Sequence, residues 1–211
     1  EFAGAYPQFK SKITIIWDIL DAKMIMNMAN EELDPNMSIN NPILLTVARL
    51  DKLQKGYDIT LEACRILKER GCQFRWYALG RGNYRSEMER YIRQHHLEDT
   101  FILLGTTPNP YPYMKACTLY VQTSRHEGFG LSIAEARILN RPVVTTEFDA
   151  VWSQMVQGEN GIVVPQDPVA VADAIERLLT DKTLYQHIQD YQRREKKGNA
   201  EEIEKFYKLI G

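Results

Sequence analysis

Short apolar runs alternate with stretches of helical periodicity from about residue 43 onward. The runs are rich in β-branched or aromatic side chains, and Gly, Thr or Ser closes most of them. Continuous apolar character over so few residues is typical of strands covered on both faces, as in a parallel sheet. The predicted strands are Ile43–Val47, Phe74–Leu79, Phe101–Leu104, Thr118–Val121, Pro142–Thr145 and Gly161–Val164.

Two of the intervening stretches carry clear amphipathic stripes. One runs from Ile59 to Leu67, and Gly71 follows as a helix stop. The other runs from Val171 to Leu179, with Asp167 placed to cap the helix and Pro168 to open it. Strands alternating with helices through short links predict an α/β fold built on a doubly wound parallel sheet with right-handed crossovers.

Three parts of the chain are predicted. Residues 41–197 form the sheet domain, and residues 1–40 form a connector with a remnant strand at Ile13–Ile16 and a Met-rich helical stretch. Residues 198–211 form a carboxyl-terminal helix, with Asn199 as its cap, whose apolar edge packs towards a neighbouring domain. Because the chain opens with Glu1 rather than Met, we expect it to be part of a longer protein.

Composition narrows the class of protein. The chain has 211 residues, a formal net charge of -2 and 44% hydrophobic residues, so it can bury a core and has no basic field for nucleic acid. No apolar run approaches the roughly 18 residues of a membrane span. The three cysteines, Cys64, Cys72 and Cys117, lack metal-ligand spacing, so free thiols in a reducing cytoplasm are expected.

The segment Ser124–Glu135 carries the strongest candidate chemistry. It follows a predicted strand and leads into a predicted helix, and open α/β sheets bind ligands at the carboxyl ends of their strands. Gly128 and Gly130 let the backbone approach a ligand closely. The unpaired N–H groups at the start of the helix favour an anion, so a phosphate or diphosphate is the expected ligand.

Two carboxylates flank this anion site. Glu127 precedes the helix and Glu135 lies inside it, about 10 Å away at the helical rise per residue. A carboxylate accepts two hydrogen bonds from a diol, so Glu135 can hold a ribose and Glu127 a sugar beyond the diphosphate. The two residues alone leave an alternative open, in which Glu127 is a surface charge and Glu135 an ordinary helix acid.

Several motifs, in order along residues 40–196, resemble those of retaining glycosyltransferases of the GT-B fold, specifically glycosyltransferase family 4. Glu127 and Glu135, with Gly128-Phe129-Gly130 between them, are similar to the E-x7-E signature of that family. The other matching segments are Ala48–Gly56, Leu79–Gly82, Leu104–Gly105 and Asn160–Pro165. The resemblance implies a Rossmann-like domain, the carboxyl-terminal half of a GT-B enzyme.

The resemblance also implies roles for particular residues. Arg49 and Lys55 would clamp the donor diphosphate. Gly80 and Gly82 would leave room for the nucleoside, and Arg81 would reach the phosphates or the base.

Further roles concern the base and the sugar. Backbone groups of Gly105, Thr106 and Thr107 would read the base edge. Glu127 would be the catalytic residue, which orients the sugar and stabilises positive charge at its reacting carbon. The remaining substrate-binding positions would be Gly128, Phe129, Gly130, Leu131 and Glu135.

The implied activity is transfer of a hexosyl group, with retention, from a UDP- or GDP-linked sugar to a glycan or lipid-linked acceptor, with no metal and no cofactor. The acceptor-binding amino-terminal domain would precede residue 1, so this domain alone would bind the donor but turn over poorly. The full enzyme would be cytoplasmic, at the inner face of the membrane where it meets a lipid acceptor. Where relatives have a Gly-rich turn and a Glu, this chain has Glu147–Trp152, which leaves donor-sugar contacts there open.

Two alternatives accompany this hypothesis. One is a non-catalytic nucleotide- or carbohydrate-binding module. The other is half of a non-hydrolysing sugar-nucleotide epimerase of the same fold, which the E-x7-E signature and the Arg49–Lys55 pair disfavour.

Overall fold

One parallel sheet of six strands organises the computed structural model, which describes residues 2–14, 16, 18–33, 37, 41–199 and 201–211. In chain order the strands are β1 (Ile43–Val47), β2 (Arg75–Leu79), β3 (Phe101–Gly105), β4 (Leu119–Gln122), β5 (Val143–Thr146) and β6 (Gly161–Val164). Each predicted strand is confirmed to within one residue at either end.

The strands lie in the order β3-β2-β1-β4-β5-β6, and every neighbouring pair is parallel. The chain winds outward from β1 in one direction and then returns to start again at β4. The predicted doubly wound fold is therefore confirmed. The switch point between β1 and β4 is where ligands bind in such sheets, at the carboxyl ends of the strands.

Helices cover both faces of the sheet. The helices of the described residues are α1 (Phe2–Ala5), α2 (Ala22–Met28), α3 (Tyr57–Glu69), α4 (Arg85–Gln94), α5 (Tyr111–Ala116), α6 (Leu131–Ile138), α7 (Pro168–Thr180), α8 (Lys182–Arg194) and α9 (Glu202–Ile210), with 3-10 turns at Pro7–Lys12 and Val151–Ser153. Both predicted amphipathic stripes are confirmed as α3 and α7. Asp167 accepts a hydrogen bond from the amide of Ala170 at 2.8 Å, and Pro168 opens α7 as predicted.

The sheet separates two apolar cores. Successive residues of β1 belong to different cores, because side chains alternate along a strand. Leu44 packs with Trp76 and Ile175 under α3 and α7, whereas Leu45 packs with Ile133 under α6. Both leucines are fully buried, which contributes about 1.5–3 kcal/mol for each side chain.

The segment before β1 packs on the second core. Its helix α2 buries Ile25, and Leu20 is also buried there. The Asn199 side chain binds this segment: its Oδ1 accepts from the amide of Leu20 at 2.7 Å, and its Nδ2 donates to the carbonyl of Asp18 at 2.9 Å. The prediction that Asn199 caps the last helix is wrong, since its amide side chain is used by the connector instead.

The predictions for the two ends of the chain have different outcomes. Ile13, Thr14 and Ile16 do not belong to a strand, and Ile15 lies outside the described residues. The apolar edge of α9 is exposed, so its packing against another domain stays a prediction. The predicted domain boundaries after residues 40 and 197 also stay predictions. Among the described helices, none combines the length and apolarity needed to cross a bilayer.

Candidate functional site

A cavity of about 370 Å³ opens at the carboxyl ends of β1 and β4, at the switch point of the sheet. The loop after β1 and the segment leading into α6 form most of its wall. Its lining includes the predicted residues Arg49, Lys55, Glu127, Gly128, Phe129, Gly130 and Leu131. The residues Asp18, Val47, Ala48, Gln122 and Ser132 complete it.

Two residues of the cavity lining form an ion pair. The ammonium of Lys55 is 2.7 Å from Oε1 and 2.8 Å from Oε2 of Glu127. Their side chains are only 18% and 9% exposed, so water screens the pair weakly. The structure therefore brings a predicted phosphate-binding cation and the predicted catalytic carboxylate into direct contact.

Two further donors fix the orientation of the Glu127 carboxylate. Nε2 of Gln122 lies 2.5 Å from Oε1, and the hydroxyl of Ser124 donates to the same oxygen at 2.7 Å. The amide oxygen of Gln122 in turn lies 2.9 Å from the hydroxyl of Tyr120. Burial raises the pKa of Tyr120 well above its ordinary value, so the phenol remains a donor.

The loop after β1 reaches Glu127 because Gly56 allows a close backbone approach. Gly56 has a φ of 64°, and a Cβ there would lie 2.0 Å from the carbonyl oxygen of Thr123. Both facts require glycine. The contact positions Lys55 in front of the segment that follows β4.

A second ion pair holds the same two loops together. Nη1 and Nη2 of Arg125 each lie 2.8 Å from an oxygen of Asp58, and Nη1 also donates to the carbonyl of Lys52 at 2.7 Å. Burial pushes the pKa of Asp58 upward, but the hydrogen bond and charge of Arg125 outweigh it and lower that pKa. The guanidinium of Arg125 is thus already engaged within the protein.

Arg49 is differently placed. Its side chain is 60% exposed, with Nη2 at 2.5 Å from Oε1 of Gln54 and 3.8 Å from Asp51. It lines the cavity at its rim. A guanidinium at such a rim can bind a phosphate bidentately without first leaving a buried partner.

The amino terminus of α6 faces the cavity. Gly130 caps it with a φ of 84°, and Leu131 and Ser132 form its first turn. Nε2 of Gln154 donates to the carbonyl oxygens of Phe129 and Gly130, which holds the turn from behind. The helix terminus favours an anion through its N–H groups and its dipole.

Glu135 lies one turn further into α6 and does not line this cavity. Its Oε1 accepts a hydrogen bond from the hydroxyl of Tyr111, the first residue of α5, at 3.0 Å. Burial raises the pKa of Glu135, and the Tyr111 hydrogen bond partly opposes that rise. Burial, with the Glu135 charge, raises the pKa of Tyr111 to about 12. The two glutamates thus contact different flanks, Lys55 on one side and Tyr111 on the other.

The glycines after β2 have a packing role. A Cβ at Gly80 would lie 1.9 Å from the carbonyl oxygen of Ala48, and one at Gly82 would lie 2.1 Å from that of Leu50. Both glycines therefore allow the loop after β2 to pack on the loop after β1. Their predicted role towards a nucleoside stays a prediction.

The remaining predicted residues lie along the same edge of the sheet, outside the cavity lining. Arg81 is exposed, and Gly105 ends β3 with a φ of 82°, which favours glycine. Thr106 follows it, and the hydroxyl of Thr107 bonds to Asn109 at 3.2 Å. Their predicted contacts with a base stay predictions.

Three further residues of this region are not among the predicted site residues. Gln122 ends an otherwise apolar strand, and Ser124 begins the segment that was singled out, so a polar side chain at a strand end was the available signal. Tyr111 gave no such signal, because its contact with Glu135 depends on tertiary packing. In the part of the chain that the structure describes, no three His, Cys, Asp or Glu side chains are grouped to hold a metal ion.

Comparison with known proteins places these features in a family. The family described as Glycosyl transferases group 1 matches residues 41–181. Alpha-D-kanosaminyltransferase from Streptomyces kanamyceticus is 33% identical over 148 residues, which cover 69% of this chain and 38% of that protein. Poly(ribitol-phosphate) alpha-N-acetylglucosaminyltransferase from Staphylococcus aureus is 27% identical over 132 residues, covering 62% of this chain and 27% of that protein.

Solved structures share the fold. A TarM variant from S. aureus, in complex with Fondaparinux, alpha-GlcNAc-glycerol and UDP, has a TM-score of 0.79 at 20% identity, covering 99% of this chain and 42% of that chain. Anabaena HepE in complex with UDP and glucose has a TM-score of 0.73 at 22% identity, covering 85% of this chain and 50% of that chain. The matched part spans well under half of each curated relative described above.

Proposed function

This chain belongs to the glycosyl transferases group 1 family, and we propose that it is the donor-binding domain of a retaining, metal-independent glycosyltransferase of family 4. The observation that carries the proposal is the Lys55–Glu127 pair, which lies in a cavity that also presents Arg49 and the amino terminus of α6. That combination offers positive charge for a diphosphate beside a carboxylate for a sugar.

The diphosphate of the donor would lie between Arg49, Lys55 and the start of α6. Two cations and a helix dipole stabilise the negative charge that grows on the leaving diphosphate as the sugar departs. This electrostatic stabilisation takes the place that a metal ion has in other transferases, and the chemistry needs no further cofactor.

Glu127 would act on the sugar. A diphosphate would share Lys55 with Glu127, which releases carboxylate lone pairs for sugar hydroxyls. Gln122 and Ser124 keep the carboxylate in place during that exchange. The oriented negative charge then stabilises positive charge at the reacting carbon. Glu135 would hold the ribose diol from the other flank.

The substrate class follows from the same site and from the relatives. A neighbour of this fold was solved with UDP and glucose, and a relative is named for transfer of N-acetylglucosamine to poly(ribitol-phosphate). We therefore propose a UDP- or GDP-linked hexose as donor and a glycan or lipid-linked acceptor. The acceptor would be bound largely by a separate domain, since the relatives are much longer than the matched part. The full enzyme would act in the cytoplasm, at the inner membrane face where the acceptor is lipid-linked, and this chain alone would turn over poorly.

Both alternatives are less well supported. The relatives and the structural neighbours named above are glycosyltransferases, or are bound to the nucleotide part of a sugar donor. This favours a transferase over a non-catalytic binding module and over an epimerase half.

Calorimetric titration of this chain with UDP and GDP tests the proposal. One nucleotide should bind, and Glu135→Ala should weaken it by about 10-fold or more, because a hydrogen bond to a charged group contributes about 1.5–3 kcal/mol. Glu87→Gln, which alters an exposed acid in the first turn of α4, is the matched control and should bind as the wild type does. Absence of binding to both nucleotides, or equal loss in the control, would count against the site.

A further inference from the structure

A second cavity, of about 560 Å³, lies at the carboxyl ends of β4, β5 and β6. Its lining includes His126, and the next residue, Glu127, lines the first cavity, so the two cavities are neighbours. The other walls come from residues after β5, which include Glu147, Asp149 and Trp152, and from Pro165 and Gln166 after β6. This is the region where the sequence departs from the pattern of the family it resembles.

An exposed indole is part of the lining of this second cavity. Trp152 is 51% exposed, although its neighbour Val151 is fully buried and anchors the turn. The indole Nε1 donates to Oε1 of Glu147 at 2.9 Å, which fixes the plane of the ring. A half-exposed, oriented aromatic face offers stacking area at little cost in side-chain entropy.

The polar groups around the ring suit hydroxyl groups. In the described part of the chain, the imidazole of His126 and the carboxylate of Asp149 have no hydrogen-bonding partner. Each is exposed at the cavity and free to bind a ligand. A carboxylate accepts hydrogen bonds from adjacent hydroxyls, while an indole face packs on the apolar C–H face of a pyranose.

The charge of the cavity excludes a phosphate. Glu147 and Asp149 are both acidic, and the one arginine in the lining, Arg125, is committed to Asp58 by two hydrogen bonds of 2.8 Å. An anionic ligand is therefore disfavoured there, in contrast to the diphosphate expected at Arg49 and Lys55, and an uncharged sugar meets no such repulsion.

The loops that bear the cavity are joined to the donor site. Nε2 of Gln166 donates to the carbonyl of Glu147 at 2.8 Å and to that of Arg125 at 3.3 Å. The hydroxyl of Thr146 donates to the carbonyl of Ser124 at 2.6 Å. These hydrogen bonds thus fix the wall of the second cavity relative to the segment that carries Glu127.

We propose that Trp152, Asp149 and His126 form a subsite for a neutral pyranose of the acceptor, beside the donor site. The acceptor role rests on the proposed function, whereas saccharide binding itself does not. The subsite would hold an acceptor sugar near Glu127 even though most acceptor contacts come from elsewhere.

Nitrogen-15 NMR of this chain tests the subsite. The chain has three tryptophans, and the indole signal that disappears in Trp152→Phe is that of Trp152. Methyl glucoside, methyl galactoside, cellobiose and lactose are the neutral probes, with glucuronate as the anionic one. At least one neutral probe should move the Trp152 signal saturably, while glucuronate binds more weakly and UDP leaves the signal in place.

Variants separate stacking from a general surface effect. Trp152→Ala should weaken saccharide binding, followed at the backbone amides around Asp149, by a factor of about 3 to 10. Asp149→Asn should weaken it as well. Tyr207→Ala removes a comparably exposed aromatic ring, 55% exposed on α9, and should change nothing. UDP binding to Trp152→Ala should match the wild type, which confirms that the variant is folded.

Several outcomes overturn the proposal. It is wrong if no neutral saccharide moves the Trp152 signal, if Trp152→Ala binds as the wild type does, or if UDP moves that signal as strongly as a saccharide. Amides of Gly128 to Leu131, followed in the same samples, report on the donor site. If they respond to UDP while no saccharide binds, this inference alone fails. If a saccharide binds at Trp152 and UDP binds nowhere, the acceptor role fails together with the proposed function.

Discussion

Lys55 and Glu127 are 72 residues apart in the sequence, yet the ammonium of one lies within 2.8 Å of both carboxylate oxygens of the other. The pair joins the loops that follow β1 and β4, the two strands at which the sheet reverses its order. Each residue comes from a different half of the doubly wound sheet. The centre of the candidate site therefore exists only when both halves are folded together.

Loss of Lys55 should weaken nucleotide binding. Lys55→Ala removes a cation from the diphosphate and leaves the part-buried carboxylate of Glu127 without its counter-charge. We expect UDP or GDP affinity to fall by about 10-fold to 100-fold, the equivalent of one charge-assisted hydrogen bond. Lys182→Ala, which removes an exposed lysine at the start of α8, is the control. If calorimetry gives equal affinities for Lys55→Ala and the control, Lys55 does not contribute to nucleotide binding.

Gly56 should be far less tolerant of a side chain than Gly71. Both have a positive φ, 64° and 79°, so alanine costs about 1–2 kcal/mol of backbone strain at either position. A Cβ at Gly56 also meets the carbonyl of Thr123 at 2.0 Å, whereas one at Gly71 meets nothing within 4 Å. In urea unfolding, Gly56→Ala should lose at least about 1 kcal/mol more stability than Gly71→Ala, in the range of overpacking costs. Equal losses of stability would show that the close contact between Gly56 and Thr123 does not restrict the side chain at position 56.

The fold could be predicted because its determinants are local. A strand buried on both faces, such as Ile43–Val47, carries its own signal in an unbroken apolar run. The capping of α7 by Asp167 is likewise contained within a few residues. The motifs around Arg49, Lys55 and Glu127 are local as well, so the sequence could single out these residues, which line one cavity. Their roles stay predictions.

Other features depend on contacts between distant segments. The motif around Gly80 predicts room for a ligand, but no local pattern indicates that the carbonyl of Ala48 occupies the position of a Cβ there. Asn199 was expected to cap a helix, and instead it binds the backbone at Asp18 and Leu20. In each case the partner lies in another part of the chain, where no local pattern points to it.

Tyr111→Phe should shift the pH dependence of nucleotide binding. The phenol of Tyr111 donates to Glu135 at 3.0 Å and opposes the rise in the pKa of that carboxyl caused by burial. Without the hydroxyl, the pKa of Glu135 rises further. A ribose diol requires the ionised carboxylate as acceptor. The variant should therefore lose affinity at a higher pH than the wild type when the solution is acidified.

A matched control exists for this prediction. Tyr91 also donates to a carboxylate, that of Glu62, on the helices α3 and α4. Tyr91→Phe should leave the pH profile of UDP or GDP binding unchanged. Profiles that coincide for wild type and Tyr111→Phe would mean that Glu135 does not bind the nucleotide through its ionised form.

The contribution of Lys197 to the stability of the protein should increase as the solution becomes mildly alkaline. Its ammonium donates to the carbonyl of Arg137 at 2.8 Å, between α6 and the segment after α8. Burial lowers the pKa of Lys197 from 10.5 to about 8; the charge of Glu195 opposes this shift and that of Arg137 adds to it. Lys197 keeps its proton up to the higher pKa in the unfolded chain but only up to the lower pKa in the folded protein. Unfolding therefore takes up a proton at a pH between these two pKa values. The contribution of Lys197 to the free energy of unfolding therefore rises with pH from about 8 towards 10.5.

The variant Lys197→Met isolates this contribution, because the buried tyrosines and cysteines titrate alike in both proteins. Urea unfolding, followed at about pH 7 and at about pH 9.5, gives the free energy of unfolding of each protein. The stability of the wild type relative to Lys197→Met should increase between the two conditions. The control is the same comparison with Lys182→Met, which alters an exposed lysine away from this contact and should give no such change. If the wild type and Lys197→Met instead change in parallel with pH, burial does not destabilise the ammonium of Lys197.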